Sequence, residues 1–463
     1  MSVLFIFRRD LRIMDNLALN EAIEFAQNKK NPKNPYNLIL AFTFTSEQIE
    51  RNEYFSENSF QFMIESLVEL NENVNHKLSF FEDKHFYRKL DNIKAICFNR
   101  DYTPYAIQRD EEIKKYCLEK NIKLITAEDY TLLPIDLVKT TEKKNYEVFT
   151  PFYNKCLKYY KQIIPPYTKK LNKETVETVG NLPNLNKFTK YNNKNLNVRG
   201  GRAHALSKFK HIKNGVFDNY TVKRDIPSYA NSTTELSAYL KFGCVSIREA
   251  YYLIKNVYGL RTDLIKQLFW KEFYAYITYH NHRVLDGMIH ASNETFNKKF
   301  NDIEWKTDDD HFDTWCKGET GFPLVDAGMR QMNKTGYMHN RLRMVTASFL
   351  VKDLHIDWRR GEKYFASKLV DYDPASNNGG WQWVAGTGTD ASPYFRIFNP
   401  WTQIERFDNE CKYIKEWVDE LKDVESKVIK KWHKLYKEYP NIKYAVPIVD
   451  HDVVKKTVLY YYK

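Results

Sequence analysis

Short apolar, β-rich runs alternate with stretches of helical periodicity through the opening part of the chain, and the alternation then stops. The runs Ser2–Phe7, Asn37–Phe44 and Lys94–Phe98, with a weaker one over Asn121–Thr126, have the near-continuous apolar character of buried parallel strands. Between them, a 3.6-residue period predicts helices over Leu17–Asn28, Ser59–Glu72 and Ala106–Lys120. Strand–helix alternation of this kind predicts an α/β N-terminal domain, with a parallel sheet in Rossmann-like layers, over residues 1–130. Residues 131–201 lose periodicity and accumulate Lys, Asn, Thr and Pro, the composition of an interdomain linker. From 202 to 463 helix-length segments return, at Ile247–Val257, Asp263–Tyr279, Leu324–Lys334, His339–Val351 and Arg360–Val370, with almost no strand signal. This second part is expected to be all-helical.

At 463 residues the chain has room for two domains, each with its own core. Its net charge of +12 is spread over the whole length, which favours a polyanionic partner such as nucleic acid. The six Cys show no C-x-x-C spacing, so neither a zinc site nor a disulfide framework is suggested, and a reducing compartment is the simplest inference. No leader signal opens the chain and no apolar run is long enough to span a bilayer. A soluble intracellular protein without membrane contact is expected; dispersed Lys runs do not separate cytoplasm from nucleus.

The candidate chemistry lies in the helical part. The string D-Y-D-P-A-S-N-N-G-G-W-Q-W, Asp371 to Trp383, combines carboxylates, adjacent amides, a Gly-Gly kink and two indoles. Glycines admit close backbone approach, carboxylates and amides read polar edges, and indoles stack. The mixture suits a planar heteroaromatic cofactor beside a second aromatic ligand. Thr233, Thr234, Glu235, Leu236 and Ser237 cluster hydroxyls where a helix would begin, either as an anion site for a pyrophosphate or as an ordinary N-cap. In T-G-Y-M-H-N-R-L-R-M, Asn340, Arg343 and Met344 share one helical face. In K-Q-L-F-W-K-E-F-Y, Gln267 and Trp270 stand at i and i+3, placed to bond and stack a base or to serve as core and solvated face. Trp305, Trp358 and Trp381 read either as packing residues or as a line of easily oxidised rings.

Taken together, D-Y-D-P-A-S-N-N-G-G-W, H-N-R-L-R-M, T-x-x-L-S and the opening F-R-R-D-L-R-I-M-D-N resemble the DNA photolyase and cryptochrome family over nearly the full length, most closely the class I enzymes that repair cyclobutane pyrimidine dimers. The resemblance implies light-driven DNA repair by a monomer: a fully reduced, anionic FAD donates an electron to a flipped-out dimer, which splits. It implies FAD contacts from Tyr220, Thr233, Thr234, Glu235, Leu236, Ser237, Asn340, Arg343, Asp371, Tyr372, Asp373 and Asn377, with Asn377 near the flavin N5 and Asp371 paired to Arg343. It implies electron transfer along Trp305, Trp358 and Trp381, substrate contacts from Gln267, Trp270, Asn340, Met344 and Trp383, and contacts to UV-damaged DNA from Arg224, Arg341, Arg396, Gln403 and Arg406.

A second, antenna chromophore of folate or deazaflavin type is what family members add. Here Ala106 stands where many folate-binding members carry an acid, so the antenna is left open. Gln267 departs from the Glu usual in dimer repair and matches enzymes acting on the (6-4) photoproduct, whereas Asn340 replaces the second His those enzymes typically carry. The alternatives are therefore (6-4) repair and a cryptochrome photoreceptor without repair activity. The chain ends soon after P-I-V-D-H at His451 without a long extension, which favours the enzyme.

Overall fold

A computed structural model describes residues 1–27, 34–180, 191–288, 294–393 and 395–462. Six parallel strands, β1 (Ser2–Ile6), β2 (Asn37–Thr43), β3 (Ser79–Phe81), β4 (Ile93–Asn99), β5 (Lys123–Ala127) and β6 (Val176–Glu177), form one sheet in the order β3-β2-β1-β4-β5. β6 adds to the outer edge of β2 beside β3. The strand order reverses between β1 and β4, the point at which doubly wound sheets open a crevice at their carboxyl ends.

Alternation along β1 sorts its side chains onto two faces. Leu4 and Ile6 join Ile39, Phe98 and Tyr116 of the Pro104–Glu119 helix on one face. Val3, Phe5 and Phe7 join Leu40, the Leu17–Ala26 and Glu57–Asn73 helices, and also Tyr239, Phe269 and Phe273 from the helical part. The predicted boundary near residue 202 is therefore not a packing boundary, because one apolar core runs across it. A second core, around Trp315, Phe349, Trp358, Trp381 and Trp432, belongs to the helices of the C-terminal part.

The predicted strands and helices of the first 130 residues are all present, with ends shifted by a few residues. β3 and β6 were not anticipated, being three and two residues long and too short for a periodic signal. The stretch expected as a linker connects the two parts but also carries the Phe149–Lys158 helix, which buries Phe149, Phe152 and Cys156; residues 181–190 lie outside the described ones. This helix is only ten residues long and sits in a stretch whose overall composition is that of a linker. All six Cys are buried and free of disulfides. Among the described residues no helix is long and apolar enough to cross a membrane.

A buried charge cluster fastens the helical part to the sheet. Arg248 Nε donates to Asp15 at 3.1 Å and its Nη2 to Asp129 at 2.6 Å, while Arg12 Nη2 donates to the other Asp129 oxygen at 2.6 Å. Burial pushes the Asp129 carboxyl upward, but the two guanidinium groups outweigh it and hold the group below its usual range. Removing one member of such a set leaves uncompensated charge in a buried site. Arg248→Met is expected to lower the unfolding free energy by about 3–5 kcal/mol, seen as an earlier urea midpoint; an unchanged midpoint would show that the cluster does not hold the two parts together.

Candidate flavin and nucleic-acid sites

The helix Pro374–Ala385 organises the centre of the molecule. Asp373 caps it, accepting from Ser376 N at 3.0 Å, and Pro374 occupies the first turn, where its missing N–H costs nothing. The other Asp373 oxygen meets the Arg9 guanidinium and the Tyr130 hydroxyl, the latter at 2.6 Å. The Tyr130 ring also packs against cations, with Lys271 Nζ 3.1 Å and the Arg9 guanidinium 4.5 Å from its centroid. Burial pushes the Asp373 carboxyl up, but Arg9 and Lys271 prevail and keep it far below the ordinary range. Its side chain is thus committed to the α/β part, leaving its backbone for a cofactor. Arg9, Tyr130 and Lys271 were not singled out from sequence.

Three other segments meet beside this helix. Arg343 Nη2 donates to both Asp371 oxygens at 3.1 and 2.9 Å, and its Nε donates to Met338 O at 2.8 Å. Asp371 is buried and Arg343 half-buried, so the guanidinium keeps one accessible side. Val370 N donates to Gly336 O, and Thr233 Oγ1 lies 3.2 Å from Tyr337 Oη, which draws Thr233–Ser237 to the same place. The helix there begins at Ser237 and runs only to Phe242, without a side-chain cap. The ordinary N-cap reading is therefore wrong: Thr233 turns to Tyr337, and Glu235, at φ +52°, binds Lys208 and Asn197. Tyr220, half-buried, has its phenol pushed up to about 12 by burial. Asn377 Nδ2 donates to Glu362 O at 3.2 Å, which orients its amide oxygen away from that carbonyl. Hydroxyls and a guanidinium for a diphosphate, with an oriented amide and the Trp381 ring for a planar system, form a donor set that fits FAD.

Trp381 is 3% exposed, and the edge of its indole lies where a Cβ on Gly361 would stand, 2.2 Å away. Only glycine permits this contact, which seats Trp381 on the Trp358–Lys368 helix that Trp358 begins. Trp358 is fully buried, and a bridge between Lys306 and Ile356 brings half-buried Trp305 to the same end of that helix. Trp381 and Trp358 are thus interior, and Trp305 lies nearer the surface. Trp270 and Trp383 stand on the Asp263–His280 and Pro374–Ala385 helices, which cross where the Tyr274 ring fills the space beside Gly379. Each lies one turn from that crossing. Trp270 is backed by Phe149, stacked at 3.6 Å and 6°, a partner supplied by the supposed linker. Gln267 is half-buried, and exposed Asn340 points its Nδ2 to Met344 Sδ at 3.9 Å.

The expected DNA contacts divide. Arg396 and Arg406 are exposed. Arg341 pairs with Asp225 at 2.9 Å and packs on Phe407, Arg224 lies 3.9 Å from Asp263, and Gln403 is buried. The sequence shows a positive charge but not the acid that folding brings to it.

Tyr372 departs from the group, stacking on Tyr54 at 6.2 Å in the wall of a cavity of about 290 Å³. That cavity opens at the carboxyl ends of β1, β2 and β4, at the reversal of strand order, and is lined by Arg8, Phe44, Tyr87, Ala106, Arg109 and Lys241 among others. Among the described residues, one guanidinium nitrogen each of Arg8 and Arg109 and the hydroxyl of Tyr372 are buried without hydrogen-bond partners. Lys241 Nζ donates to Ser59 Oγ at 2.6 Å; burial first, then Arg9, pushes its ammonium down to about 7, against the pull of Asp373 and Asp371.

A doubly wound α/β domain joined to a helical flavin domain is the architecture of photolyases and cryptochromes. The cryptochrome of Synechocystis shares it at a TM-score of 0.81 and 23% identity, covering 99% of this chain and 98% of its own. The chain belongs to the DNA photolyase family: residues 3–170 match DNA photolyase, and residues 264–463 match the FAD binding domain of DNA photolyase. It is 36% identical to the deoxyribodipyrimidine photo-lyase of Alkalihalophilus pseudofirmus, over 99% of this chain and 97% of the relative. The archaeal photolyase from Sulfolobus tokodaii, solved with two FAD molecules, superimposes with a TM-score of 0.85 at 37% identity, covering 100% of this chain and 99% of that one.

Proposed function

We propose that this chain repairs cyclobutane pyrimidine dimers in UV-damaged DNA, driven by light, with a reduced anionic FAD held between Thr233–Ser237, Arg343, Asp371 and Asn377. The single observation that carries the reading is the junction at Pro374–Ala385: one helix joins the candidate flavin cradle, the buried end of the indole line and the aromatic substrate wall. FAD supplies the excited-state electron when bound. Around it, Arg343 offsets negative charge, the Asn377 amide accepts a hydrogen bond, and packed aromatic side chains exclude water. Trp270, rigidified by Phe149, and Trp383 stack the flipped dimer, with Met344 and Gln267 beside it. Gln267 can only donate a neutral hydrogen bond to the dimer carbonyl, where an acid could share a proton. Asn340 cannot act as the second acid–base group that (6-4) repair needs.

Illuminated protein carrying reduced FAD should restore cyclobutane dimers and leave (6-4) photoproducts intact, and Gln267→Glu should preserve or raise the yield. Restoration of (6-4) photoproducts alone would overturn the assignment, and protein that binds FAD but repairs neither lesion would point to a photoreceptor.

Trp381, Trp358 and Trp305 are assigned to light-driven reduction of oxidised flavin, Trp381 first. Trp381→Phe should block that photoreduction yet spare repair by chemically reduced enzyme. Photoreduction at the normal rate in this variant would place the route elsewhere.

Arg396 and Arg406 are the exposed cations assigned to phosphate contact. Replacing both by Ala should flatten the dependence of log K on log salt by roughly 2 units; an unchanged slope would remove them from the interface.

The cavity at the strand ends is assigned to a second chromophore with a planar ring and a phosphate-bearing chain, of flavin or deazaflavin type. The unpartnered N–H groups of Arg8 and Arg109 suit phosphate oxygens, and small Ala106 leaves room for a ring. Arg109→Glu should abolish its uptake while leaving FAD in the helical part; equal uptake by both proteins would refute the assignment.

A further inference from the structure

The support behind Trp270 is itself held by a residue that follows Trp383. Phe149, stacked on Trp270 at 3.6 Å, is the first residue of the Phe149–Lys158 helix, and Tyr153 one turn on lies nearly parallel to it at 5.7 Å. The position of Phe149 therefore depends on how this helix begins. Its own capping position holds Val148, whose side chain has no acceptor, so the first-turn N–H groups need partners from elsewhere. One partner is Asp390, 241 residues on, whose Oδ2 accepts from Phe149 N at 3.0 Å. Beside it, Thr389 Oγ1 donates to Glu147 O.

Asp390 and Thr389 belong to the loop that leaves the helix carrying Trp383. The loop folds back on that helix: Gly388 N donates to Gln382 O at 3.1 Å and Ser392 N to Trp383 O at 3.1 Å. Asp390 takes φ +44°, a conformation that most side chains avoid and that Asp and Asn tolerate best after glycine. A residue held in this region delivers its carboxylate to a point that a relaxed backbone would not reach. Asp390 also acts on Tyr274, whose phenol is pushed above its ordinary value first by burial and then by the Asp390 charge. Tyr274 is the ring that fills the crossing of the Trp270 and Trp383 helices, 5.7 Å from Trp270.

We propose that Asp390 is a positioning residue of the substrate slot: by holding Phe149 N it fixes the Trp270 wall relative to the Trp383 wall, and so sets the width open to two joined pyrimidines. The assignment rests on the reading of Trp270 and Trp383 as the walls that take the flipped dimer. The path between them is short. Trp383 O is tied to Ser392 N, two residues from Asp390; Asp390 is tied to Phe149, and Phe149 lies against Trp270. Every link is a backbone segment, a hydrogen bond or a ring contact, so the spacing is set before substrate arrives and little ordering remains to be done on binding. Without the carboxylate the Phe149 helix loses its anchor, and Trp270 loses a fixed support.

The test is equilibrium binding of flavin-loaded protein, in the dark, to a duplex bearing a cyclobutane dimer and to the same duplex undamaged. Asp390→Gly removes the acceptor at a position where glycine takes positive φ without penalty. It should weaken binding of the dimer-containing duplex about tenfold, within the range of one base stacked on an aromatic ring. Binding of undamaged DNA, flavin content and light-driven flavin reduction should stay as in the unmodified chain. Asp390→Asn, which keeps an oxygen able to accept from Phe149 N, should regain most of the affinity, whereas Asp390→Glu, which moves the carboxylate one carbon out, should not. If Asp390→Gly fails to fold, the Asn and Glu variants carry the same comparison. Unchanged dimer preference in Asp390→Gly, an equal loss on undamaged DNA, or Asp390→Asn as weak as Asp390→Glu overturns the proposal alone. An unmodified chain that binds both duplexes equally would overturn the reading of the two indole walls and, with it, this role for Asp390.

Discussion

The Asp373 carboxylate is the interaction on which the two halves of this molecule turn. One oxygen caps the helix that carries Asn377, Trp381 and Trp383, and the other receives Arg9 and Tyr130 from the α/β part. A buried carboxylate survives only when its charge is met in full, and here Arg9 and Lys271 meet it. The helix start is thereby fixed relative to the end of β1. Everything one turn or more along that helix inherits its position from this contact.

The same contact places two sites side by side. Asp371, Tyr372 and Asp373 are consecutive, yet their side chains go to Arg343, to the cavity at the strand ends and to Arg9, respectively. Lys241 lines the cavity and feels both Asp371 and Asp373, with its ammonium pushed to about 7 by burial and by Arg9. A change of charge on either side of this wall is therefore felt on the other, because buried surroundings screen charge poorly.

Aromatic packing does the rest. Gly361 and Gly379 let rings lie directly on helix backbones, which brings Trp381 onto the Trp358 helix and Tyr274 against the Trp383 helix. The high aromatic content carried little information in itself, but the fold uses it to build walls: Phe149 behind Trp270, and Tyr462 beside Trp305. An aromatic with its back supported needs little reordering when a flat ligand stacks on its other face.

The sequence by itself determined the layers of the fold and the family of the site. Strand and helix periods are local and repeat over ten or more residues, and strings such as D-Y-D-P-A-S-N-N-G-G-W and H-N-R-L-R-M are contiguous, so both can be read without coordinates. What only the tertiary structure decided is where each charged or aromatic side chain finds its partner. Arg341 and Arg224 stand in the sequence as bare cations, and the fold sets Asp225 2.9 Å from the first and Asp263 3.9 Å from the second. The partner of the Asp373 side chain is Arg9, 364 residues away in the chain. The Phe149 helix reads as linker because its ten residues are embedded in a stretch rich in Lys, Asn, Thr and Pro. Charge pairing and ring stacking depend on distances of a few ångströms between segments remote in the chain, and no local pattern records those distances.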